Sequence, residues 1–295
     1  CRRDASSARW LGGLTRRRLM WRVVPWILLC VSGCASIPTL DSLILRPRLE
    51  IEKTPLDWGY EYQEFTLTVG EGRSIVGWHI PSAESKALLV VIPGSDANKG
   101  LYTEGIPIYN PHGYDLLVFD YEGFGSSPGT KSLSACLDDA QAAVTYALGL
   151  HDKVFVYGVS LGAPLTVYVT AKHPEIRGCM LEGCFIPTQE AALWLEQNGY
   201  LAFLLSGIAN LYIDPQVPEP YDILKYIQQV SQPKLIMHST EDRITPFEGG
   251  VRVFEAAPEP KEFWEMRGDH GRMVRIETDA YMAKVTGWLD AHLGD

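Results

Sequence analysis

"VFVYGVSLGAPL", Val154–Leu165, decides how this chain is read. A β-branched and aromatic run ends at Gly158, Ser160 follows between Val159 and Leu161, and a second glycine stands at 162. Gly-x-Ser-x-Gly is the pattern of a nucleophile elbow, a strand-to-helix turn so tight that the positions flanking the serine must be nearly free of side chain. Such a turn exposes the serine at the carboxyl end of a sheet, where a helix N-terminus favours an anion. "APLTVYVTAKH" can supply the helix. The pentapeptide alone is only moderately specific, so the choice between a nucleophile and a serine at a strand end rests on its surroundings.

The surroundings predict a mostly parallel sheet. "ALLVVI" (87–92), "YDLLVFD" (114–120), "KVFVYG" (153–158), "RGCMLE" (177–182), "KLIMH" (234–238) and "KEFWEM" (261–266) are short apolar runs. Continuous rather than alternating apolarity suits strands covered on both faces. Helical patterns lie between most of them. The clearest is 132–150, which opens with Ser134 ahead of Asp138 and Asp139. Alternating strands and helices predict an α/β sandwich, and the units are too few for an eight-fold barrel. "EFTLTV" and "SIVGWHI", joined by "GEGR", predict a leading hairpin over 64–80. Residues 185–230 lack a clear strand. Within them 192–212 is apolar nearly all round and predicts a small helical cap inserted between "RGCMLE" and "KLIMH".

A serine nucleophile needs a base, and the base needs an orienting acid. On this strand pattern the order is Ser, Asp or Glu, His. Asp242 follows "KLIMH" and His270 follows "KEFWEM", which puts both at the sheet edge of Ser160. Of seven histidines only His238, His270 and His292 lie beyond residue 180; His238 precedes the acid and His292 sits in the terminal helix. Glu241 and Glu182 are the reserve acids. The tetrahedral oxyanion needs two preset N–H donors. One is the amide of Leu161. The other is the amide of Ser95, in the loop "PGSDANKG" after "ALLVVI".

From Ser74 onward the chain resembles an α/β-hydrolase of the serine-aminopeptidase-like, lysophospholipase-like group. Members of that group often read His-Gly-Asn-Ala-Gly-Asn in the oxyanion loop and Asp-Tyr-Arg-Gly-Tyr-Gly after the next strand. Here the matching stretches are "PGSDANKG" and "DYEGFGSS". Pro93 replaces the usual histidine and Glu122 the usual arginine, neither being a triad position. Asp120, Gly123 and Gly125 read as loop structure. The resemblance implies the α/β-hydrolase fold but fixes no substrate.

The N-terminus predicts an address. Arg22 and the apolar run Val23–Ser32 make a secretory signal too short for a spanning helix, which needs about 20 apolar residues. Val31-Ser32-Gly33-Cys34 resembles a bacterial lipobox, which implies a diacylglyceryl group on Cys34 and cleavage before it. An ordinary signal peptide is the alternative. By that resemblance, with Ala35 after the cysteine, the protein is exported to the cell envelope and anchored at the periplasmic face of the outer membrane. Residues 1–19 read either as an over-extended gene start or, through Arg16-Arg17-Arg18, as part of a twin-arginine export signal. Residues 34–63 read as tether and lead-in, and 64–295 as the catalytic domain.

Charge excludes one class of partner. Residues 1–33 carry seven arginines and one acid, while the remainder holds 35 acidic against 19 basic residues, near −16. A body this acidic repels nucleic acid. Cys136, Cys179 and Cys184 give no disulfide framework and no paired metal-ligand spacing, so they read as packed thiols. No metal or cofactor is called for, and the oligomeric state is left open. The sequence thus predicts a serine hydrolase acting on a carboxylic ester of a small or lipid-like acyl substrate. A peptidase or acyltransferase on the same triad, and a non-catalytic envelope lipoprotein, are the alternatives.

Overall fold

The computed structural model describes residues 40–70, 72–184, 186, 218–271 and 278–294. The signal region with Cys34, and the predicted cap helix 192–212, lie outside them. Eight strands form one sheet: β1 (Gln63–Val69), β2 (Arg73–Ile80), β3 (Ala87–Ile92), β4 (Tyr114–Phe119), β5 (Val154–Val159), β6 (Gly178–Glu182), β7 (Lys234–Ser239) and β8 (Lys261–Met266). Their spatial order is β1-β2-β4-β3-β5-β6-β7-β8. β2 runs antiparallel to β1 and β4; every other neighbouring pair is parallel.

The apolar runs become buried strands because successive side chains point to opposite faces, and both faces are covered. Along β3, Leu88, Val90 and Ile92 pack with Ala140 and Val144 of α1 (Leu133–Leu150). Leu89 and Val91 pack on the other face with Trp288 and Leu289 of α4 (Thr278–Ala291). Each such burial stabilises by roughly 1.5–3 kcal/mol. α2 (Gly162–Lys172) follows β5, and α3 (Phe247–Ala256) follows β7. α1 begins one residue before Ser134, and its cap is Ser132, whose extended backbone lets the side chain accept the Ala135 N–H at 3.0 Å. The thiols of Cys136, Cys179 and Cys184 are free and buried. Burial pushes Cys179 and Cys184 up to about 12.

Two sequence boundaries shift. The compact unit starts at Leu40 rather than 64. Leu45 is fully buried, its carbonyl accepts Lys131 Nζ at 2.7 Å, and Asp41 accepts the Leu133 N–H at 2.8 Å. The lead-in is therefore bonded to the body. At the far end of the predicted cap, residues 218–230 form short turns whose Tyr221, Ile223, Ile227 and Val230 are buried in the domain's own core.

Parallel pairing aligns the carboxyl ends that matter. Ile92 is level with Gly158, Val159 with Glu182, and Ser239 with Met266. Whatever follows β3, β5, β6, β7 and β8 emerges along one edge.

Candidate active site

The turn after β5 is built around Ser160. Among the described residues it is the one non-glycine with a positive φ, 55°. That left-handed conformation costs an L-residue about 1–2 kcal/mol. Neighbouring elements hold it there: the Ser160 N–H donates to the Glu182 carbonyl at 2.8 Å, and the Ser160 carbonyl accepts the Ala163 N–H at 3.0 Å. Both flanking glycines are forced by close approach. A Cβ on Gly158 would lie 2.2 Å from Thr166 Oγ1, and one on Gly162 would lie 2.1 Å from the Ile92 carbonyl oxygen. The turn feeds straight into α2, whose N-terminus points positive partial charge toward Ser160.

His270 and Asp242 meet at the same edge. His270 Nδ1 lies 2.6 Å from Asp242 Oδ2. Asp242 Oδ1 accepts the Ile244 and Thr245 N–H groups at 2.8 and 2.9 Å, and Oδ2 accepts the Thr245 hydroxyl at 2.7 Å. Burial pulls this carboxyl up, yet the hydrogen bond and charge of His270 and the Thr245 bonds outweigh it and hold Asp242 below the ordinary range. An ionised Asp242 is acceptor only, so His270 carries its proton on Nδ1 and leaves the Nε2 lone pair for a partner. Gly183, at φ 58°, gives the ring its seat: a Cβ there would sit 2.9 Å from His270 Cε1.

Of the three acids read from sequence, Asp242 is the one bonded to His270. Glu241 accepts the Gly268 N–H at 3.1 Å and so ties down the loop that carries His270. Glu182 is buried, bonded to the Tyr157 hydroxyl and accepting from Tyr281 at 3.3 Å. Burial raises its carboxyl above the ordinary value. Ser160, His270 and Glu182 line one cavity of about 670 Å³, with Val91, Ile108 and Leu116 among its apolar walls. Leu161 sits fully buried at the helix start. Ser95 lies in the loop after β3; its neighbours Gly94 and Asp96 line the cavity, and a Cβ on Gly94 would be 3.5 Å from the Ser160 Cβ.

Sequence reasoning missed Thr245 and Tyr102, and it set His238 aside for preceding the acid. Thr245 contributes two of the bonds that fix Asp242, and its hydroxyl lies 3.1 Å from His270 Nδ1. The "DRIT" spacing before Pro246 is the signal that could have found it, because Asp side chains commonly accept backbone N–H groups two and three residues on. The Tyr102 hydroxyl accepts the Gly94 N–H at 2.8 Å. His238 lies 3.7 Å from Asp242 Oδ2. Burial lowers its basicity, and its Nε2 is within 3.0 Å of the Thr245 carbonyl.

The comparisons agree with this architecture. The family model for serine aminopeptidase, S33, matches residues 83–223, a span with Ser160 and the loop after β3 but without Asp242 and His270. The uncharacterised protein YfhR of Salmonella typhimurium is 28% identical over 257 residues, covering 78% of this chain and 84% of that protein. The lysophosphatidylserine lipase ABHD12 of Macaca fascicularis is 24% identical over 311 residues, covering 90% and 77%. The structure of the Pyrococcus furiosus esterase Pf2001 superposes with a TM-score of 0.71 at 18% identity, covering 85% of this chain and 99% of that one. With this sheet order, this strand-to-helix turn and these neighbours, the chain has the α/β-hydrolase fold, and over residues 83–223 it is similar to the serine aminopeptidase, S33, family.

Proposed function

We propose that this chain is a serine hydrolase acting on a carboxylic ester or related acyl bond. The observation that carries the reading is Ser160, held in a left-handed turn on the wall of the cavity that the Asp242-bonded His270 also lines. In the reaction Ser160 Oγ attacks the acyl carbon while His270 Nε2 takes its proton. The oxyanion is received by the Leu161 and Ser95 N–H groups, a term worth about 10²–10³ in rate per donor in comparable sites. Collapse breaks the bond to the leaving alcohol, which takes the proton from His270. Water then attacks the acyl enzyme with His270 as base, freeing the acid and restoring Ser160.

The apolar walls support an acyl group as the buried part of the substrate. A serine peptidase is the second reading. It draws on the Glu182 carboxylate, buried in the cavity wall where a substrate amine could face it. Matched p-nitrophenyl esters and p-nitroanilides of one acyl series separate the two. The ester reading expects kcat/KM at least about 100-fold higher on esters, growing with acyl length as each buried CH₂ contributes roughly 0.8 kcal/mol. Aminoacyl anilides turned over faster than esters would support the peptidase.

We also propose that Cys34 carries a diacylglyceryl anchor and holds the enzyme at the bacterial envelope, on the periplasmic face of the outer membrane. The lipobox-like Val31–Cys34 supports it. Labelled palmitate should enter the exported protein and be lost in Cys34→Ala. Equal incorporation in both would leave the anchor without support.

A further inference from the structure

The peptide that carries the Ser95 N–H is pinned on both sides. The peptide before it is held by Tyr102, whose hydroxyl accepts the Gly94 N–H at 2.8 Å. The peptide after it is held by the Ser95 carbonyl, which accepts the Arg46 N–H at 2.8 Å. Arg46 lies in the lead-in, in a strap over 45–53 whose Arg48, Glu50, Glu52 and Lys53 line the cavity.

Asn98 joins that strap to the loop. It is 1% exposed and uses both ends of its amide. Nδ2 donates to the Glu50 carbonyl at 2.7 Å and to the Arg48 carbonyl at 3.2 Å, and Oδ1 accepts the Gly100 N–H at 3.1 Å. The next residue closes the far side. Lys99 and Asp120, both fully buried, pair at 2.6 Å, and Asp120 also accepts the Lys99 N–H at 2.7 Å. The Arg48 carbonyl also accepts the Gly125 N–H at 3.0 Å, while Asn98 supplies the bond to the Glu50 carbonyl that ties the strap to the 93–98 loop.

We propose that Asn98 is a positioning residue for acyl transfer: it staples the 45–53 strap against the 93–98 loop, so that the Arg46 N–H fixes the peptide next to the Ser95 donor. The lead-in between the signal region and the sheet is then a working part of the site. The inference rests on reading Ser160 as nucleophile. An oxyanion donor is effective only when its position is set before the charge develops. Loosening the staple therefore acts on the transition state more than on ground-state binding.

The test compares Asn98→Ala with Gln232→Ala. Gln232 is a chemically similar control at the other end of β7, where its Nε2 donates to the Thr170 and His173 carbonyls, both at 3.1 Å. Asn98→Ala should lower kcat per folded molecule about 10- to 100-fold with KM changed less than about threefold. Affinity for an alkyl boronic acid, which forms a tetrahedral adduct at the serine, should fall by a similar factor. Asn98→Ser, which keeps an oxygen for the Gly100 N–H, should fall between Asn98→Ala and wild type. Gln232→Ala should keep both quantities. The folded fraction is read by near-UV circular dichroism. Wild-type kcat and boronate affinity in folded Asn98→Ala would overturn the inference. So would equal losses in Gln232→Ala, or failure of both Asn98 variants to fold, which would assign Asn98 to stability alone. Full activity in Ser160→Ala would instead overturn the parent reading.

Discussion

Ser160→Ala should lower kcat/KM on a p-nitrophenyl ester by at least about 10⁴-fold, because a triad nucleophile has no substitute and its loss removes nearly the whole effect of the triad. What remains is binding and oxyanion stabilisation, which leave a residual rate above water. The folded state should survive. Ser160 is held by its backbone, through Glu182 and Ala163, and alanine keeps both bonds. The melting temperature should therefore stay within a few degrees of wild type. Retained turnover by a folded Ser160→Ala protein would place the chemistry elsewhere in the cavity.

Asp242→Asn should cost about 10⁴ in kcat, the loss expected when the orienting acid can no longer fix the imidazole tautomer. The local bonding makes the effect specific. Asp242 accepts from His270 Nδ1, the Ile244 and Thr245 N–H groups and the Thr245 hydroxyl. An asparagine turns one of those acceptor sites into a donor that faces donors. The substitution also changes stability in a pH-dependent way. The folded carboxyl is held below its ordinary value of 3.8, so its ionised form is favoured in the folded state. That contribution is fully present above pH 3.8 and is lost as pH falls through the lower folded value. The stability gap between wild type and Asp242→Asn should thus be widest near neutrality and close in acid, measured by denaturant titration. A gap independent of pH, with kcat unchanged, would remove Asp242 from its role.

The fold was legible where burial on two faces leaves a continuous apolar run. β3 and β8 match their sequence boundaries, and the other parallel strands differ by a residue at one or both ends. Ser160 was legible because close packing forces glycine at 158 and 162. Asp242 and His270 were legible because topology fixes their order and edge. Glu241 and Glu182, the reserve acids, stand at equivalent strand ends, and the bond to His270 separates Asp242 from them. The strap escaped sequence reasoning for a different reason. Its hold on the body runs through the carbonyls of Leu45, Arg48 and Glu50 and the N–H of Arg46, groups that every residue carries and no side-chain pattern betrays. Tyr102 acts through a single hydroxyl, equally silent in a periodicity.

The most direct test of Ser160 as nucleophile is reaction of the wild-type protein with a fluorophosphonate, followed by peptide mass mapping. The adduct should fall on Ser160 with unit stoichiometry, and Ser160→Ala should take up none. An adduct on another residue, or equal labelling of Ser160→Ala, would contradict Ser160 as the nucleophile.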